Sequence, residues 1–310
     1  MKKNAVLVIA GPTASGKSKL AIAAAQIFDG VIINCDSMQI YKGIPVISAA
    51  PSSVERQQAE HRLYELYDCA KHGNVVEWLD LCVAEIKSLW QQKRLPIVVG
   101  GTGLYIEALV KGVTPIPEIP QDIRNKVQLR LQTDGLEKLY ADLQHNDIEI
   151  TAKIHQNDTT RILRATEIFE YTGKKTSEWY KIPLLQKIPE ANFITVKIVP
   201  TLDEITAKCC ERLDNMVYKQ GALKEIEVLV ARNLSDTLPA MKALGVPELS
   251  RFIKGELNLT EALDLAKLHT RQYAKRQRTW LNNRLSADLV FDSSYCGQKY
   301  YLSSISTFLQ

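Results

Sequence analysis

Residues 11–18 read Gly-Pro-Thr-Ala-Ser-Gly-Lys-Ser, which fits the GxxxxGK[ST] pattern at every required position. A loop of this kind holds phosphates. Its backbone N–H groups and the start of the next helix supply partial positive charge. Lys17 adds a full charge, and the Ser18 hydroxyl is placed to hold Mg²⁺. Gly11, Pro12, Thr13, Ala14, Ser15, Gly16, Lys17 and Ser18 are therefore a candidate diphosphate or triphosphate site. The pattern leaves open what the phosphates are attached to.

Two further turns carry polar groups. Gly30–Cys35 is an apolar run ending at Asp36-Ser37. A carboxylate there can take a proton from a nucleophile aimed at the phosphate ligand, bind Mg²⁺, or cap the following turn; position weights these equally. Pro96-Ile97-Val98-Val99 leads into Gly100-Gly101-Thr102-Gly103. Small residues there permit close backbone approach to a ligand, and Thr102 can donate to a phosphate oxygen; a tight strand–helix turn explains the glycines as well. This run lacks the terminal Asp that nucleoside triphosphatases use for Mg²⁺, and no Asn-Lys-x-Asp motif occurs, so ATP or GTP hydrolysis is weakly supported.

A third signal is cationic. Lys267, Arg271, Lys275, Arg276, Arg278 and Arg284 fall within one segment that has no acidic residue. Lys267, Arg271, Lys275 and Arg278 lie at helical spacing, with Tyr273 and Trp280 interleaved, which suits a phosphate backbone. The rival reading is a solvated helix face. A smaller basic group comprises Arg124, Lys126, Arg130, Arg161 and Arg164.

The elements that must position these groups follow from hydrophobic periodicity. Ala5–Ala10 is a strand, and Leu20–Ala25 opens a helix after the loop. Val76, Leu79, Val83, Ile86 and Leu89 make 75–92 an amphipathic helix, and 104–110 reads as helical. Strands alternating with helices imply a parallel sheet, with ligands at the strands' carboxyl ends, where turns 11–18, 36–39 and 100–103 all fall. Pro115, Pro117 and Pro120 then break the pattern. An all-helical stretch follows, with Ile123, Val127 and Leu131 on one face, continued by Leu136, Leu139 and Leu143, and with Asp158 as an N-cap. Phe193–Val199 returns as a strand, 201–285 is mostly helical, and Asp288–Phe291 is a short strand. The expected fold is an α/β, P-loop NTPase-like parallel sheet (1–115 and 191–310) with an inserted all-helical domain (116–190).

The chain has 310 residues, 45% hydrophobic and 24% charged, with a net charge of +4, which permits a nucleic-acid partner without requiring one. Its six cysteines form no CxxC pair and its five histidines show no metal spacing, which argues against zinc sites and disulfide frameworks. No apolar stretch is long enough to span a membrane, and no signal-peptide core precedes the loop. A cytoplasmic protein with reduced thiols is expected.

Together, Gly11–Ser18, Asp36-Ser37-Met38-Gln39-Ile40-Tyr41 and Gly100-Gly101-Thr102-Gly103-Leu104-Tyr105 resemble the tRNA dimethylallyltransferase (tRNA isopentenyltransferase) family. His155-x-Asn157-Asp158-x-x-Arg161-x-x-Arg164-Ala165 and Tyr273-Ala274-Lys275-Arg276-Gln277-x-Thr279-Trp280 continue the match over nearly the whole chain. The likeness is to bacterial-type members, without the zinc-finger extension of eukaryotic relatives. It implies transfer of a dimethylallyl group from its diphosphate to N6 of the adenosine 3′ of the anticodon (position 37), in tRNAs reading codons that begin with U, with Mg²⁺ assisting. It further implies Asp36 as general base, and Thr13, Lys17 and Ser18 on the diphosphate with Arg212 helping to hold it. Thr102, Arg124, Asp36–Gln39 (with Ser37 and Met38) and Thr160–Arg164 (with Arg161, Ile162 and Leu163) match tRNA-contacting positions, and Lys275 and Arg276 join them from the basic stripe. The implied partners are the anticodon stem-loop and dimethylallyl diphosphate, with the enzyme a monomer. Rival functions are a small-molecule P-loop kinase and a non-catalytic RNA-binding ATPase.

Overall fold

A computed structural model describes residues 2–310. The chain runs β1 (Ala5–Ala10), α1 (Lys17–Phe28), β2 (Gly30–Asn34), α2 (Ser53–Gln58), β3 (His61–Arg62), α3 (Val75–Gln91), β4 (Leu95–Gly100) and α4 (Gly103–Lys111). Four helices follow: α5 (Gln121–Asn146), α6 (Ile148–Thr151), α7 (Thr159–Thr172) and α8 (Thr176–Trp179). Then come β5 (Asn192–Ile198), α9 (Leu202–Tyr218), α10 (Ala222–Ala231), α11 (Val246–Ile253), α12 (Leu259–Arg284), β6 (Leu289–Phe291) and α13 (Lys299–Leu309).

All six strands pair in parallel, in the order β3-β2-β4-β1-β5-β6. Every residue of β1, β2 and β4 is buried. Continuous apolar runs are what strands covered on both faces require. Leu7, Ile9, Ile97, Val196 and Ile198 pack with Leu20 and Ala24 of α1 and with Tyr301 and Ile305 of α13. Burying each large apolar side chain here contributes roughly 1.5–3 kcal/mol. Helix α3 buries Trp78, Leu79, Cys82, Val83, Ile86 and Leu89. Val76, expected on that face, is exposed, because the buried arc begins at Trp78, whose Nε1 donates to Asn34 O at 2.9 Å. Trp90 likewise donates to Ala5 O at 3.0 Å.

The chain divides into two compact units, one formed by the residues up to Val110 with Lys187–Gln310, the other by Lys111–Gln186. The junctions thus fall at 110/111 and 186/187 rather than 115/116 and 190/191. An antiparallel bridge accounts for the shift: Val113 N–H donates to Leu185 O at 3.1 Å, and Leu185 N–H to Val113 O at 2.8 Å. These residues close the base of the second unit, so the break lies outside them.

The second unit is helical. Helix α5 kinks at Gly135, and Leu139, Leu143, Ile150, Ile154, Ile162 and Ala165 form the unit's core. Asp158 caps α7 by accepting the Arg161 N–H at 3.1 Å. Buried Asp147 caps α6 at Ile150 N and also accepts the Ser177 N–H at 2.9 Å, tying α8 to α6.

In the first unit, Asn258 and Glu261 form a capping box at the start of α12. At its far end, buried Lys197 of β5 donates from Nζ to Leu281 O (3.3 Å) and Leu285 O (3.4 Å). A cation on the terminal carbonyls suits the negative end of the helix dipole, and it anchors α12 to the sheet. Among the described residues, no helix is long and apolar enough to cross a membrane.

Candidate active site

The phosphate loop leaves β1 at the carboxyl edge of the sheet. Gly16, at the N-cap of α1, has φ 83°, and a Cβ there would sit 2.6 Å from Tyr295 O, so only glycine fits. No side chain caps α1. Its first-turn N–H groups therefore present a ready anion site. Lys17 Nζ donates to Pro12 O at 3.2 Å. Ser15 is fully buried against Gly11, so it serves the loop through its backbone and not through its hydroxyl.

The three turns expected at one sheet edge are joined there. Gly11 N–H donates to Gly100 O at 3.3 Å, and Cys35 N–H to Val99 O at 2.8 Å. Ser37 N–H donates to Thr102 Oγ1 at 3.0 Å. Asp36 is held from both sides: its N–H donates to Asn34 Oδ1 at 2.8 Å, and its Oδ1 accepts the Met38 N–H at 2.9 Å. The turn-capping reading of Asp36 is therefore real, but it uses one carboxylate oxygen only.

Behind these turns runs α12. Gln277, which is buried, accepts the Thr13 N–H through Oε1 and donates through Nε2 to Gly101 O, both at 2.9 Å. A Cβ on Gly101 would lie 2.4 Å from Gln277 Nε2, and one on Gly103 would lie 2.4 Å from the Trp280 ring. These glycines thus admit the Gln277 and Trp280 side chains of α12.

Thr13, Asp36, Cys209, Arg212, Tyr273 and Arg276 help to line one cavity of about 330 Å³, whose apolar part includes Met38, Ile47, Leu213, Met216 and Leu244. Beside it lies an open groove of about 850 Å³ lined by Ala14–Lys19, Pro45–Val46, Ala49–Ser52 and α9 residues. Arg212 lines both, and its Nη2 donates to Thr13 Oγ1. Burial pushes Lys17 down to about 8; the nearby Asp36 charge opposes that shift and Arg212 reinforces it. Burial likewise lowers Arg212, against Cys209 and Asp36. Two desolvated cations facing one carboxylate leave positive potential at the loop, which an anionic ligand would neutralise.

A family model for IPP transferases matches residues 39–284. The chain belongs to this family. It is 40% identical over 294 residues to a tRNA dimethylallyltransferase of Rhodospirillum centenum, covering 95% of this chain and 93% of the relative. A tRNA dimethylallyltransferase of Bradyrhizobium sp. is 41% identical over 282 residues, covering 91% and 92%. Among solved structures, the full-length tRNA isopentenylpyrophosphate transferase of Bacillus halodurans matches with a TM-score of 0.70 and 29% identity, over 99% of this chain and 96% of that one. A eukaryotic dimethylallyltransferase described as acting on tRNA matches with a TM-score of 0.81 and 28% identity, over 98% and 77%.

Several of the expected site residues are engaged within the protein. Thr102 does not line the cavity; it lies behind the Asp36–Ser37 turn, donating to Ser37 Oγ at 3.3 Å and hydrogen-bonding Tyr273. It positions the turn. Gln39 commits its amide nitrogen to Ser48 O (3.1 Å) and Ala49 O (2.7 Å). In the helical unit, Ile162 is fully buried in the core and Leu163 packs against it, so the surface of that segment is Thr160, Arg161 and Arg164. Arg124 donates to Ile119 O at 3.1 Å.

The basic groups are partly neutralised. Lys126 and Arg130 pair with Glu170, and Arg130 also pairs with Asp142. Lys267 pairs with Asp214 at 2.7 Å, and Arg278 donates to Pro200 O at 3.1 Å. The exposed cations of α12 are therefore Arg271, Lys275, Arg276 and Arg284. An acid-free segment did not mean an acid-free surface, because α9 supplies the carboxylate.

Ser18 is exposed at the groove, in the first turn of α1. Among the described residues, no cluster of three His, Cys, Asp or Glu could hold a metal by itself. Sequence reasoning missed Gln277 as a link between loop and helix. A signal was present: it is the polar residue on an otherwise small or apolar face, with Thr270, Ala274 and Leu281.

Proposed function

We propose that this IPP transferase moves a dimethylallyl group from dimethylallyl diphosphate to N6 of adenosine 37, next to the anticodon, in tRNAs reading codons that begin with U. Pyrophosphate is released. The observation that supports this most directly is that Asp36, Thr13 and Arg212 meet in one cavity beside the phosphate loop.

In this reading the diphosphate lies on the first-turn N–H groups of α1, with Lys17 and Arg212 around it. As the allylic C1–O bond breaks, charge builds on the departing diphosphate, where these preorganised cations stabilise it most. The N6 lone pair is delocalised into the adenine ring and forms a bond to C1 only as that carbon ionises. The Asp36 carboxylate then takes the N6 proton. Its Oδ1 stays fixed by Met38 N–H, which orients the group. Ser18 and the diphosphate oxygens would hold Mg²⁺, which supplies further charge neutralisation on the leaving group. The adenine must leave its stack to enter the cavity. Arg271, Lys275 and Arg276 offer a surface for the RNA backbone. We further infer that the enzyme acts as a monomer, and tRNA as acceptor favours the cytoplasm.

The test is a transfer assay: purified chain, unmodified anticodon stem-loop, radiolabelled dimethylallyl diphosphate and Mg²⁺. Label on the RNA at adenosine 37, lost when that base is replaced by guanosine, is the expected result. Unlabelled RNA, with ATP-dependent phosphorylation of a metabolite instead, would overturn the reading.

A further inference from the structure

The wall between the cavity and the phosphate groove is the loop 44–51. One side of it, through Ile47 and Ser48, lines the cavity. The other side, through Pro45, Val46, Ala49, Ala50 and Pro51, lines the groove. A wall that faces both compartments must be rigid if the volume of either is to be defined.

Two side chains from outside the loop fix it. Glu225 of α10 accepts the Val46 N–H through Oε2 at 2.8 Å and the Ile47 N–H through Oε1 at 2.9 Å. Gln39 grips the same loop through its Ser48 and Ala49 carbonyls. Glu225 lines neither compartment. Its two oxygens match two backbone donors, which an amide cannot do, since its NH₂ would face an N–H. Charge-assisted bonds of this kind are the stronger ones.

The consequence falls on Ile47. It is buried, and its Cδ1 lies where a Cβ on Gly245 would come within 2.8 Å. Wedged there, and sharing the apolar part of the cavity with Leu213 and Met216, it has no room to withdraw. A close-packed wall of this kind excludes an extra isoprene unit by overlap.

We propose that Ile47, positioned by Glu225, sets the length of allylic chain that the cavity accepts, admitting five carbons and rejecting ten. This rests on the transfer reaction proposed above. Ile47 acts as the specificity-determining contact and Glu225 as a positioning residue that touches no substrate.

The experiment compares dimethylallyl with geranyl diphosphate on the full chain with the anticodon stem-loop. In Ile47→Ala, the ratio of kcat/KM for geranyl over dimethylallyl diphosphate should rise at least tenfold, chiefly through a lower KM for the longer chain. Glu225→Gln should shift the ratio the same way, raise KM for dimethylallyl diphosphate, and leave KM for RNA within twofold. Glu225→Asp should restore part of the discrimination. An unchanged ratio in Ile47→Ala overturns the proposal, whether or not the Glu225 variants fold. Equal losses in kcat and in both KM values for Glu225→Gln overturn its positioning role. Wild-type chain inactive on dimethylallyl diphosphate would instead refute the underlying reaction.

Discussion

The Arg212 guanidinium, on α9, donates through Nη2 to Thr13 Oγ1 in the phosphate loop, joining residues 199 positions apart. This contact adds α9 to the elements that hold the loop, beside β1, α1 and Gln277 of α12. It also places a cation between the groove and the cavity, where the C1–O bond of an allylic diphosphate would break.

Replacing Arg212 with Ala should therefore lower kcat/KM for dimethylallyl diphosphate by roughly 10²–10³-fold, the usual cost of losing one preorganised donor. Arg212→Lys should recover part of this, since the charge returns without the fork. Steady-state kinetics at saturating RNA will show it. Wild-type kinetics in Arg212→Ala would remove the residue from the site.

Asp36→Asn separates the two roles of that side chain. The amide oxygen can still accept the Met38 N–H, so the turn should persist. The proton acceptor is gone, and kcat should fall by about 10²–10⁴-fold. RNA affinity, read by filter binding, should stay within a few-fold. Normal turnover would show that another group takes the proton.

Lys17 gives a pH signature. Burial lowers it from 10.5 to about 8. Between those values the unfolded chain binds a proton that the folded chain has released, so ligand-free stability should rise with pH in that window. Lys17→Met should lack the rise in pH-dependent urea melts. A bound diphosphate favours the ammonium, so binding dimethylallyl diphosphate without RNA above pH 8 should take up a proton. Calorimetry in buffers of different ionisation enthalpy measures that uptake, and its absence in wild type would contradict the assignment.

On α12, Lys275→Ala with Arg276→Ala should weaken RNA binding and reduce the slope of log K against log salt by about 1 per cation. Lys267→Ala should leave the slope unchanged, because its charge is engaged by Asp214. Equal effects from both substitutions would mean that the ion pair does not hold in solution.

Local patterning carried much of this molecule. The phosphate loop, the buried strands, the turn at Asp36, the helical insertion and its Asp158 cap are each encoded within a few residues, because strand burial, helix period and capping are short-range effects. The short edge strand β3 was not singled out, since two paired residues offer no periodic signal, whereas α13 was missed although Tyr301, Ile305 and Leu309 recur at helical spacing.

What the sequence by itself indicated was a phosphate-binding pattern at 11–18, Asp36 on the same sheet edge, and a basic helix near the end of the chain. Only the tertiary structure decided which polar groups face the cavity and which support it. Thr102 and Gln277 turned out to brace the turns, Arg212 to bridge both compartments, and Lys267 to be neutralised across helices. Those outcomes depend on contacts between segments up to 264 residues apart, fixed by how helices pack on the sheet. No local spacing encodes that packing.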